Sequence, residues 1–189
     1  MRLHEWSANN ESRPAEILGT LKKLFLWKCK ECGHEYHMAF NDRTPEGNDC
    51  PYCNNRLLSK GMNDLATVHP ELVDEYSHNN DLKPEEIVAA RTQSVLWICP
   101  DCGGEYAYPL NQRAKGDDSC PYCKNTKVLK GLNDFATIHP ELLGEYSTNN
   151  EVPADEILFN RVQRVLWKCP DCGGEYIYPL NQRKLGDDS

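Results

Sequence analysis

The chain has 189 residues, a formal net charge of −8 and an apolar fraction of 39%, with a mean hydropathy of −0.70. That composition leaves little material for one large core and points to small modules supported by something besides apolar burial. The negative charge argues against indiscriminate nucleic-acid binding, where a basic surface supplies most of the affinity, and no segment approaches the roughly 20 apolar residues needed to span a bilayer.

From Met1 to Trp6 the chain opens without an apolar stretch of signal-peptide type. The expectation is a soluble, cytoplasmic protein with reduced thiols, so its ten cysteines are expected to bind metal rather than form disulfides. Internal repetition organises them. Trp27, Trp97 and Trp167 recur at an interval of 70 residues, as do Glu5-Trp6-Ser7, Glu75-Tyr76-Ser77 and Glu145-Tyr146-Ser147, and Ile17, Ile87 and Ile157. Residues 71–119 and 141–189 share 32 identities in 49 positions. The expected domains are therefore a zinc repeat at 1–70, a second at 71–140, and a truncated third at 141–189 carrying half a site. The third unit reads as a repeat cut from a longer protein.

In the second unit, Pro70 suits the first turn of a helix, Glu71 and Asp74 sit near its positive end, and the helix should reach the Asn79-Asn80-Asp81 turn. Pro84 to Ile87 opens another helical turn. Ser94 to Cys99 is rich in β-branched and aromatic residues and predicts a strand, Cys102-Gly103-Gly104 a tight turn, and Glu105 to Leu110 the returning strand of a hairpin. After Cys120-Pro121-Tyr122-Cys123, either Asn133 or Asp134 is placed to cap a short helix.

Each complete unit reads C-x2-C-x17-C-x2-C. Two residues between cysteines let one turn aim both thiolates at a single ion, and the spacer returns the second pair to complete a tetrahedron. Cys29, Cys32, Cys50 and Cys53 form one set, and Cys99, Cys102, Cys120 and Cys123 form the other. Cys169 and Cys172 form an incomplete third site. Soft thiolates select Zn2+ over magnesium or calcium, although iron or an iron–sulfur cluster also suits four thiolates. A filled coordination sphere leaves no open position for an activated water, so the sites are expected to be structural and the catalytic set empty.

Trp-x-Cys-Pro-x-Cys-Gly-x-Glu-Tyr, Asn-x-Arg, Cys-Pro-Tyr-Cys and Gly-x-Asn-Asp-Leu/Phe-Ala-Thr-x-His-Pro-Glu-Leu occur in that order. Together they resemble the bacterial and viral zinc-ribbon or treble-clef repeat family of unknown function. The resemblance implies a small, metal-stabilised α+β fold made of tandem modules, each a zinc-knuckle β-hairpin with short helices. Members often accompany nuclease-like domains similar to very-short-patch-repair endonucleases, which implies a DNA partner. No nuclease domain lies within these residues.

Arg43, Arg113 and Arg183 recur in Asn-x-Arg between the cysteine pairs, where a guanidinium fork suits phosphate or a guanine edge. The competing expectation is pairing with Asp117-Asp118 or Asp187-Asp188. Arg56, Lys60, Lys115, Lys124, Lys127 and Lys130 gather near the second cysteine pair as a locally basic face or an ordinary solvated one. The tryptophans and Tyr36, Tyr106 and Tyr176 fit a small core better than base stacking, and His69 and His139 fit helix packing better than metal binding. His34 replaces Gly104 and Gly174, and Asp42 replaces Gln112 and Gln182. With His37, His34 invites a nuclease reading that no second unit repeats. The leading expectation is a non-enzymatic, multivalent nucleic-acid-binding array, with DNA as the partner. A protein-interaction scaffold with purely architectural zinc is the alternative.

Overall fold

The computed structural model describes residues 3–16, 22–43, 49–117, 119–160 and 162–183. Ile17, Asp118 and the stretch 184–189, including Asp187 and Asp188, lie outside the described residues. Among the described residues three two-stranded sheets recur. They comprise β1 (Leu24–Lys28) with β2 (Glu35–Ala39), β3 (Ser94–Ile98) with β4 (Glu105–Pro109), and β5 (Arg164–Lys168) with β6 (Glu175–Pro179). The first and third are antiparallel with the same register, Trp27 opposite Tyr36 and Trp167 opposite Tyr176. The helices are single turns: α1 (Leu65–Val68), α2 (Leu110–Arg113) and α3 (Phe135–Ile138), with short 3-10 segments between.

The strands match the predicted hairpin to within a residue. The helix expected from Pro70 stops after one 3-10 turn, Pro70–Leu72. Ser77, Asn79 and Asn80 then redirect the chain. Ser77 donates its backbone N–H to the Leu96 carbonyl at 3.1 Å, and the Asn80 side chain both donates to the Leu96 carbonyl and accepts from the Leu96 N–H, each at 2.8 Å. Asn10 with Leu26 and Asn150 with Leu166 do the same. An asparagine amide thus takes the place of a neighbouring strand along part of each hairpin edge, which would otherwise present unpaired backbone.

Packing divides the chain into two compact units, Met1–Leu96 with Ala107–Asp117, and Trp97–Tyr106 with Asp118–Ser189. These units are offset from the 70-residue period. In the first, the Leu65 N–H donates to the Ile87 carbonyl at 3.0 Å and the Ala89 N–H to the Asn63 carbonyl at 3.0 Å. In the second, Phe135 packs edge-on to Trp167, centroids 5.8 Å apart, within a core that also holds Leu142, Ile157, Val165 and Leu180. The segment that follows a closed cysteine pair therefore supplies core to the hairpin of the next repeat. Trp27, Trp97 and Trp167 are at most 1% exposed, and the indole N–H groups of Trp27 and Trp167 donate to the carbonyls of Met38 and Tyr178. The tryptophans are core residues, as expected of modules this small.

Asp134, rather than Asn133, caps α3. Its carboxylate accepts from the Thr137 N–H at 2.8 Å and the Gly131 N–H at 2.6 Å, while Asn133 ties the preceding loop to the carbonyls of Tyr122 and Lys127. Burial works against the Asp134 charge, but the Thr137 hydroxyl and the Thr137 and Gly131 amides outweigh it and hold its pKa below the ordinary carboxylate value. A depressed carboxyl stabilises the fold at pH values above its unfolded pKa, and the contribution fades as pH falls through the folded value. Asp134→Ala should therefore cost about 1 kcal/mol in thermal unfolding at neutral pH. The gap to the unsubstituted protein should narrow below about pH 4; a pH-independent gap would refute an electrostatic cap.

Candidate metal centres

The first knuckle of each repeat follows directly from its hairpin. The Cys29 N–H donates to the His34 carbonyl and the Gly33 N–H returns to the Cys29 carbonyl, both at 2.9 Å. Gly33 closes this turn at φ +73°, where a side chain would strain the backbone. Cys99 with Gly103 and Gly104, and Cys169 with Gly173 and Gly174, form the same two bonds. The second knuckle turns at Asn55 or Asn125, both in the left-handed region at φ 56° and 50°, which asparagine tolerates better than other side-chain-bearing residues.

These turns bring Cys29, Cys32, Cys50 and Cys53 together, and likewise Cys99, Cys102, Cys120 and Cys123, with all sulfurs of a set within 4.8 Å of one another. The Cys29–Cys53 and Cys32–Cys50 sulfur separations are 3.7 and 3.6 Å, and Cys99–Cys123 and Cys102–Cys120 are both 3.7 Å. A tetrahedron with zinc–sulfur bonds of about 2.3 Å has edges of about 3.8 Å. Each set fits one zinc ion, giving two per chain.

The ionisation of the thiols makes the same point. Burial raises the Cys29 pKa, yet the backbone amides of Cys32 and Glu31 outweigh it and bring the thiol below its ordinary value. Burial and the neighbouring thiols push Cys53 up instead, and Cys102 and Cys99 push up Cys123. One thiol of the set is eased toward ionisation while its neighbours are held from it. Four thiolates at this spacing call for a cation, and a divalent ion lowers the repulsion that keeps the later thiols protonated.

The two complete sites differ in their lining. A Cβ at Gly104 would stand 2.6 Å from the Tyr122 ring and 2.8 Å from Leu129, so only glycine fits. In the first site Ser59 replaces Leu129, and His34 uses the space: its Nε2 lies 2.8 Å from the Ser59 hydroxyl and its ring 4.6 Å from that of Tyr52. His34 is packed beside the knuckle, and His37 is exposed on β2. His69 and His139 close α1 and α3 and pair through Nδ1 with Glu71 and Glu141 at 2.9 Å.

The arginines expected to contact nucleic acid turn inward. Arg43 pairs with Glu5, Arg113 with Glu75 and Arg183 with Glu145. Arg113 and Arg183 are only 9% and 4% exposed, and the Arg43 side chain is 7% exposed. Arg183 Nε donates to Glu145 at 2.9 Å, and the Arg43 guanidinium lies 4.3 Å from the Trp27 ring centre and donates to the Tyr36 hydroxyl at 2.6 Å. Burial raises the Tyr36 pKa to about 12 despite the arginine, so the hydroxyl stays protonated at neutral pH. Each fork is directed at an internal carboxylate. The glutamate partner lies 38 residues upstream in every case. Its recurrence ahead of Trp6, Tyr76 and Tyr146 was the sequence signal for it. Among the basic residues near the second cysteine pair, Lys60 pairs with Glu86, Lys130 with Asp155 and Glu156, and Lys124 bonds Ser119.

Such tandem tetrathiolate modules define a class of zinc-ordered finger proteins. The family model described as a probable treble clef zinc finger domain matches residues 3–56 and 72–126. Those matches cover more than half of the chain, and the chain belongs to that family. It is also 23% identical over 190 residues to an uncharacterised protein of Acanthamoeba polyphaga mimivirus, an alignment covering 90% of this chain and 45% of the relative. The chain thus spans about half the length of the curated relative it matches. Among the described residues no helix is long and apolar enough to cross a membrane.

Elemental analysis should find two tightly held zinc ions per chain. Chelation should collapse both units in far-UV circular dichroism, since structural zinc contributes on the order of 10 kcal/mol to modules of this kind; a folded, metal-free chain would overturn the assignment. Glu5→Ala, which takes one of two carboxylates from a buried arginine and leaves it Asp49 at 3.7 Å, should cost about 2 kcal/mol in denaturant unfolding. Glu5→Ala with Arg43→Met should recover part of that loss, and a single-substitution loss below about 1 kcal/mol would show that the buried pair is not what holds Arg43 in place.

Proposed function

We propose that the chain is a non-catalytic, tandem binding array in which zinc is purely architectural and the recognised partner is a polypeptide. The observation that carries this function is the inward pairing of Arg43, Arg113 and Arg183 with Glu5, Glu75 and Glu145. Phosphate recognition would need those forks at the surface, and the net charge of −8 gives a polyanion little long-range attraction. Four thiolates per ion leave no coordination position for a water nucleophile, which supports an architectural rather than catalytic metal. Linked modules would act through combined affinity, each engaging one part of an extended partner.

Salt titration separates this proposal from nucleic-acid binding. Across roughly 20 to 200 mM salt, the zinc-loaded chain should show no binding to duplex or single-stranded DNA whose log affinity falls linearly with log salt. A steep slope, retained after substitution of Arg43, Arg113 and Arg183, would overturn the polypeptide assignment and direct attention to exposed Arg56, Lys124 and Lys127.

A further inference from the structure

The two complete metal centres differ at one position of the first knuckle. Glycine stands there in the second and third repeats, as Gly104 and Gly174, and histidine in the first, as His34. A Cβ added at Gly174 would lie 3.4 Å from the Cys172 sulfur. A side chain at this position therefore leaves the backbone beside the sulfur of the cysteine two residues earlier, which in the first repeat is Cys32.

His34 is held at three points. Its backbone carbonyl accepts from the Cys29 N–H at 2.9 Å. Its ring lies 4.6 Å from that of Tyr52, with planes 34° apart, and Tyr52 stands between Cys50 and Cys53 in the second knuckle. Its Nε2 lies 2.8 Å from the Ser59 hydroxyl. The other ring nitrogen, Nδ1, is buried and has no hydrogen-bond partner. Such atoms are rare in folded proteins because an unpaired buried polar group is costly. The Ser59 hydroxyl can donate to Nε2, and a neutral imidazole that accepts at Nε2 carries its proton on Nδ1.

We propose that His34 donates from Nδ1 to the metal-bound Cys32 thiolate, as a positioning residue of the first metal centre that the second centre lacks. A ring N–H facing a ligand sulfur offsets part of the negative charge that four thiolates place around one divalent ion, and hydrogen bonds to a charged acceptor are stronger than neutral ones. The change between repeats is paired. Leu129, which would stand 2.8 Å from a Cβ at position 104, is Ser59 in the first repeat, so the room for the ring and the hydroxyl that orients it arrive together. In the second centre Tyr122 and Leu129 fill that volume with carbon. The inference concerns the metal centre alone and is independent of the partner proposed above.

The test uses the full chain loaded with an NMR-active isotope of cadmium, which reports the two tetrathiolate centres as separate signals. Long-range proton–nitrogen spectra should show His34 protonated on Nδ1, and a proton–cadmium correlation should join that N–H to the cadmium of the first centre. His34→Phe keeps a ring against Tyr52 and removes both nitrogens. Combined with Ser59→Ala, which removes the hydroxyl left behind, it should weaken metal binding at the first centre about tenfold in competition with a chelator, with the second centre unchanged as the internal reference. A residue that only packs would leave the affinity of this double variant unchanged, and that result overturns the proposal. So does an Nδ1 without a proton, or absence of the correlation. Should the double variant fail to fold, the spectra of the unsubstituted chain decide. Absence of any tetrathiolate cadmium signal would overturn the centre, and the proposal with it.

Discussion

Mutual repulsion among four thiolates is the constraint on which this structure depends. The knuckle turns hold sulfurs 3.6 to 3.7 Å apart across each site, a spacing at which successive ionisations oppose one another until a cation compensates them. Without that ion the surrounding apolar material is slight: one or two tryptophans, a few aromatics and two-stranded sheets, which do not by themselves sustain an independent fold in water. The ion and the residues around it act together at the two complete sites, whereas the third hairpin and its knuckle carry one cysteine pair alone.

A second organising interaction lies under each hairpin. An arginine from the chain leaving β2, β4 or β6 reaches a glutamate near the start of the same repeat, in the first and third repeats beside the core tryptophan. Buried ion pairs add little net stability compared with apolar packing, yet they penalise any arrangement that separates the partners. In modules with so few hydrophobic contacts, that penalty fixes where the opening segment crosses the hairpin. The same chemistry that makes arginine a good phosphate ligand here makes it a good internal clamp.

Much of this was legible in the sequence because the signals are local. Cys-x2-Cys spacing with glycine at the turn specifies a knuckle, alternating aromatics specify β3 and β4, and Asp134 ahead of Phe135 specifies a cap. What was not legible shares a cause, which is dependence on the three-dimensional path. Arg43, Arg113 and Arg183 look solvent-facing in a polar loop until a glutamate 38 residues earlier is brought beside them. The helix begun at Pro70 ends after a turn because Ser77 and Asn80 bond more favourably with the edge of β3 than with a continuing helix. Packing across positions 70 and 140 was invisible for the same reason: a period shows what repeats, not which neighbouring copies share a core.

That offset between period and packing bears on how such a chain changes length. Phe135, reached after the second site has closed, sits in the same core as Trp167 of the following hairpin, as Leu65 bonds forward to Ile87. A cut at any residue, rejoined exactly one period away, recreates a junction that the protein already contains. Unequal recombination between repeats can therefore add or remove 70-residue blocks without inventing an interface, wherever in the period the exchange falls.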